Sequence, residues 1–115
     1  MKLLVFVLND ATNLEAVLEA YIEAGVPGAT ILDSEGMGHF LAFEVPLFAD
    51  FKDFMKGNKP RNKTILAVIH DDLVLQRLKP LIEDVVGELS VPGSGVMFTV
   101  PVDWFAGPQR AHEET

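Results

Sequence analysis

The chain has 115 residues, no cysteine and a formal net charge of −8. That length supports one domain with its own core. The missing cysteines exclude disulfides, thiolate metal sites and cysteine nucleophiles, and the acidity sets the chain as a whole against nucleic acid and anionic membrane.

Met1-Lys2 is followed by six apolar residues, Leu3 to Leu8, and then by Asn9-Asp10. That run is short for a secretory leader, and no stretch approaches the roughly 18 apolar residues of a membrane span. The expectation is a cytoplasmic protein. A continuously apolar run rich in Val and Leu predicts a strand covered on both faces. Thr12 and Glu15 have capping-box spacing. Leu14, Val17, Leu18, Tyr21 and Ile22 then form one helical stripe, with Gly25 as a left-handed stop. Ala29 to Leu32 reads as the second strand.

Gly36-Met37-Gly38 follows. Two glycines around one residue permit a tight turn whose amides can cradle an anion, and a plain structural turn explains them as well. The connection from His39 to Asn62 holds five of the eight phenylalanines. Pro46 is a candidate first residue of a short helix, with Leu47, Phe48, Phe51, Phe54 and Met55 on its apolar face. Such a helix either packs on the protein or docks a partner or membrane. Lys52, Lys56, Lys59, Arg61 and Lys63 place five of nine basic residues within twelve positions. They read as a solvated loop or as an anion-binding patch.

Thr64 to Ile69 predicts the third strand, and Asp71 or Asp72 caps the helix after it. Val74, Leu75, Leu78, Leu81, Ile82, Val85 and Val86 carry that helix's stripe, which Pro80 should kink. Gly87 lies near its end. Val91-Pro92-Gly93-Ser94-Gly95 is a second glycine-bearing loop, again a structural turn or an anion cradle. Val96 to Val100 closes the set.

The chain repeats itself. Lys2 to Asp10 resembles Lys63 to Asp71, and Val26-Pro27-Gly28 recurs as Val91-Pro92-Gly93. Two strand–helix–strand units imply an α+β, ferredoxin-like βαββαβ sandwich, with a four-stranded antiparallel sheet and two helices on one face. Residues 1–105 form the domain and 106–115 a polar tail. The strands' apolar character on both faces suggests that another subunit covers the second one. His39, His70 and His112 share no two-histidine metal spacing, and no residue set has the organisation of a catalytic site. The chain is not read as an enzyme.

The opening MKLLVFVLN, GVPGATILDSEGMG (Gly25 to Gly38) and GSGVMFTVPV (Gly93 to Val102) together resemble the PII family of nitrogen-regulatory signal proteins, from Met1 to about Asp103. The resemblance implies a cytoplasmic homotrimer that binds ATP, ADP or another small anion in intersubunit clefts and regulates a protein partner. It implies ligand contacts at Gly36, Met37, Gly38 and His39, where a partner-contacting loop begins, and at Gly93, Ser94 and Gly95. Partner contact falls to Phe48, Phe51, Phe54, Lys56, Lys59 and Arg61, and a membrane would be met only through a protein partner. The chain departs from the family pattern at two of these positions and at Val96, the residue after them. His39 stands where the family has Arg, Ser94 where it has Asp and Val96 where it has a phosphate-binding Lys. Two other readings compete. A CutA-like trimer, structural or metal-binding, would use His39 and His70; a small cofactor-free monooxygenase would need an acid–base set that the residues do not supply.

Overall fold

A computed structural model describes residues 1–50 and 62–108 of the chain. Strand β1 (Lys2–Leu8) leads to α1 (Leu14–Ala24), β2 (Thr30–Ser34) and α2 (Met37–Glu44). Then come β3 (Asn62–Ile69), α3 (Asp72–Val86) and β4 (Gly95–Pro101). The four described strands form one antiparallel sheet in the order β2-β3-β1-β4. This is the expected ferredoxin-like order, two βαβ units interleaved in one α+β sheet.

Strict alternation along the strands divides the sheet into two faces. Leu4, Phe6 and Leu8 of β1 and Ile65, Ala67 and Ile69 of β3 point to the helices, and all six are buried. Val17, Ala20, Tyr21 and Ala24 of α1 meet them, together with Val74, Leu78 and Ile82 of α3. The buried stripe of α1 therefore includes two alanines in place of Ile22, which is 64 % exposed. Small residues at those positions let the helix approach the sheet and α3 closely.

Local signals at the helix ends are mostly as expected. Gly25 has φ +103, and the bonds from Val26 N to Tyr21 O and from Gly25 N to Ile22 O complete a Schellman motif. The Asp71 carboxylate accepts from Leu73 N at 2.9 Å and caps α3. The Thr12–Glu15 capping box does not form. Asp10 instead caps a 3-10 turn over Ala11–Asn13, accepting from both the amide and the hydroxyl of Thr12. Asp10 thereby takes the Thr12 amide that Glu15 would have accepted from, and engages the Thr12 hydroxyl that would have capped Glu15 N. Pro80 lies inside a helix that continues from Asp72 to Val86.

The connection differs more. Gly36-Met37-Gly38 is not a turn: Gly36 is extended at φ −75 and precedes α2, whose first residue is Met37. The apolar run Phe40 to Phe43 carries the chain into helix despite Gly38, whose cost of roughly 1 kcal/mol is small beside it. Pro46 does open a short 3-10 turn, Pro46–Phe48. The remainder of the helix expected there lies outside the described residues, as do Phe51, Lys52, Phe54, Met55, Lys56, Lys59, Arg61 and His112.

Candidate functional site

The two glycine loops come to the same end of the sheet. Leu8 pairs with Gly95 on one side and with Lys63 on the other, and Lys63 pairs with Asp33. That row of four residues, one per strand, marks the end where Gly36 and Gly93 both lie. The loops are nevertheless on opposite edge strands, with β3 and β1 between them. Three strand spacings separate them, about 14 Å.

The loop before β4 is tightly built. Gly95 has φ +140, and a Cβ there would stand 2.8 Å from Val7 O and 2.9 Å from Phe6 Cε1. Glycine is required so that β4 can start against β1. Gly93, at φ +95, faces open space, and its carbonyl accepts from Asn9 Nδ2 at 3.0 Å. The Ser94 hydroxyl donates to Glu88 O at 2.9 Å, folding the loop back on itself. Glu83 holds the base of that loop. Its carboxylate accepts from Leu89 N and Lys79 Nζ, each at 2.9 Å, and the Leu89 amide foremost holds it below the usual carboxylate range.

At the other edge, the Ser34 hydroxyl meets the Asn62 side chain and lies 2.8 Å from Thr64 Oγ1. These three polar residues lie beside Gly36, whose added Cβ would come 3.7 Å from Asn62 Nδ2. His39 pairs with Glu35 and stacks on Phe43, with ring centroids 4.6 Å apart. Among the described residues every Lys and Arg is engaged: Lys2 with Asp72, Lys63 with Asp33, Lys79 with Glu83 and Arg77 with Ala24 O. The glycine loops thus present mainly backbone and hydroxyl groups.

The sequence does not single out a hollow at the opposite end of β3. A space of about 170 Å³ is lined by Pro27, Gly28, Val68, His70, Phe105 and Pro108. A cavity of roughly 150 Å³ can hold one benzene-sized ring. It continues into a shallower hollow over Leu3, Ala29, Thr30 and Leu66. Two features create it. Pairing between β2 and β3 begins only at Thr30–Leu66, which leaves Val68 and His70 unaccompanied by β2. Residues 102–108 then cross from β4, anchored by Val102 N to Met1 O at 3.1 Å. They bring Phe105 edge-on to His70 at 5.2 Å. The elements are remote in sequence, and the only local hint was the unpaired His70 after an apolar strand. His39 and His70 stand at opposite ends of β3, about 20 Å apart, so one chain cannot use both on one metal ion.

The sheet face away from the helices is apolar too. Leu3 lies between Val68 and Val100, Val5 between Leu66 and Phe98, and Val7 between Thr64 and Val96. Val96, Phe98 and Val100 are 58, 47 and 42 % exposed. Among the described residues no helix is long and apolar enough to cross a membrane. No protein-family model and no curated protein matches this chain.

Proposed function

We propose that the chain is a PII-like regulatory protein: a homotrimer that takes a small anionic ligand, such as an adenine nucleotide, between subunits and signals to a protein partner without covalent chemistry. The observation that carries this reading is the placement of the two glycine loops. They share one end of the sheet but sit on opposite edges with β3 and β1 between them, so they do not face each other across one cleft of the chain. Adjacent copies, edge to edge, would bring the loop before α2 of one against the loop before β4 of the next. The apolar sheet face supports the same assembly, because a closed ring of copies would bury it.

The chemistry of the loops is suited to recognition. Backbone amides, the Ser94 hydroxyl and the Ser34–Asn62–Thr64 group can bind polar edges. They provide no activated nucleophile and no organised general base. Calorimetry with ATP, ADP, cyclic dinucleotides and bicarbonate tests the proposal. Binding that weakens in a Gly93→Ala variant with little loss of stability supports it. Silence across that set removes the sensor reading, and a monomer in light scattering at micromolar concentration removes the assembly.

A further inference from the structure

The chain has one tryptophan, Trp104, and it is 80 % exposed. A tryptophan buries about 150–250 Å² when it is covered. The backbone on either side of this one is held. Val102 N donates to Met1 O at 3.1 Å, and Phe105 meets His70 edge-on at 5.2 Å. Trp104 is therefore presented from a fixed strap, and its exposure shows that it fills no space in its own chain. A space of matching character lies on the outer sheet face. The shallow hollow over Leu3, Gly28, Ala29, Thr30, Leu66 and Val68 has a volume of about 330 Å³. That is roughly twice what holds a benzene-sized ring. No charged side chain lines it, which suits an indole and not an anion.

Strand order decides whose tryptophan reaches the hollow. β2 and β4 are the two edge strands of the sheet. β2 runs toward the end with the glycine loops, and β4 runs away from it. Setting the β4 edge of one protomer against the β2 edge of its neighbour is the arrangement that brings glycine loop to glycine loop. At the other end of the same contact, the end of β4 meets the start of β2. Trp104 lies three residues past Pro101, where β4 ends, and the hollow lies beside Thr30, where β2 begins. The contact is continuous with the outer apolar face, because Thr30 and Phe98 stand in one row with Leu66 and Val5 between them. We propose that the indole of Trp104 from one protomer seats in the hollow over Leu3, Leu66 and Val68 of its neighbour, completing a site that one chain leaves open. Repeated head to tail, such a contact closes into a ring. This rests on the homotrimer proposed above and adds the residue that anchors it. Tryptophan is among the residues that most often carry the binding energy of an interface.

Fluorescence of the one tryptophan in the full chain, read beside light scattering, tests the inference. In the assembled protein the emission should lie to the blue of the urea-unfolded chain and resist quenching by acrylamide several-fold. Phe98→Asp, which disperses the protomers, should move it to the red. Trp104→Ala should weaken self-association by about tenfold or more with circular dichroism unchanged. Thr30→Phe, at an exposed strand position, fills the hollow and should weaken association likewise while exposing the tryptophan. An assembled protein whose tryptophan emits to the red and is freely quenched overturns the docking and leaves the homotrimer standing. A monomer at micromolar concentration overturns both. Shielded emission that Phe98→Asp or Thr30→Phe leaves unchanged puts the indole elsewhere and also overturns the docking.

Discussion

The two faces of the sheet carry the same kind of residue and meet different fates. On one, Phe6 and Leu4 lie under α1 and α3 and are fully buried. On the other, Val5 and its cross-strand neighbour Phe98 form an equally apolar surface that no described helix covers. Alternating strands of a two-layer protein normally turn polar residues outward. The proposed assembly would bury this second face against another copy, as the chain's own helices bury the first.

The largest expected effects separate the faces. Phe6→Ala removes a fully buried ring and should cost about 3–5 kcal/mol in chemical denaturation. Phe98→Asp should leave the helix-side core intact and act on assembly, shifting light scattering toward the monomer. If Phe98→Asp unfolds the chain while preserving its mass in the residual native fraction, the two faces are not separable and the comparison fails.

Much of this contrast was legible in the residues. Leu3 to Leu8 and Thr64 to Ile69 are apolar at every or nearly every position, and such runs belong to strands without a wet side. The helices α1 and α3 were legible because their 3.6-residue period and end signals agree at Gly25 and Asp71. Helix α2 was hidden for the converse reason. It is apolar on both sides, so it has no period to detect, and its glycines resemble a turn. The hollow at His70 was hidden because its walls come from residues 27–28, 68–70 and 105–108, which meet only when the tail crosses the sheet. The glycine loops were visible as motifs, but their separation across two strands follows from strand order and not from spacing.

Arg77 sharpens the account of the covered face. It reaches from α3 to the end of α1, where Nε and Nη2 donate to Ala24 O at 3.1 and 3.0 Å. The carbonyls there form the negative end of the helix dipole, so a guanidinium is well placed. Arg77→Ala should cost about 1.5–3 kcal/mol, and Arg77→Lys should recover only part, lacking the second donor. A loss under half a kilocalorie would mean that the helices cover the sheet by apolar packing alone.

Gly95 joins the two faces at their common end. Its positive φ, and the Val7 carbonyl where a Cβ would stand, predict a loss of about 1–3 kcal/mol for Gly95→Ala. Gly93→Ala, with open space around it, should lose less, since only the backbone preference opposes it. Equal losses in thermal unfolding would contradict the contact with Val7 and Phe6.

The smallest expected effect is a gain, and it lies inside the covered face. Tyr21 is the one tyrosine of the chain and is 1 % exposed. Its hydroxyl is buried and finds no hydrogen-bond partner among the described residues. Folding therefore strips it of water without replacement, which costs roughly 1–3 kcal/mol, and Tyr21→Phe should stabilise the fold by about 1 kcal/mol after some packing is lost. Burial also pushes the phenol well above its ordinary value near 10. The native state thus keeps a proton that the unfolded chain releases in alkali. Stability contributed by the neutral phenol is complete below pH about 10 and falls as the pH rises past it, by up to about 1.4 kcal/mol per pH unit. The measurement is the difference between the original chain and Tyr21→Phe across that range. The variant's advantage should widen with pH. A constant difference would mean that the phenol ionises equally in both states, and the hydroxyl would then have to reach solvent through the helix layer.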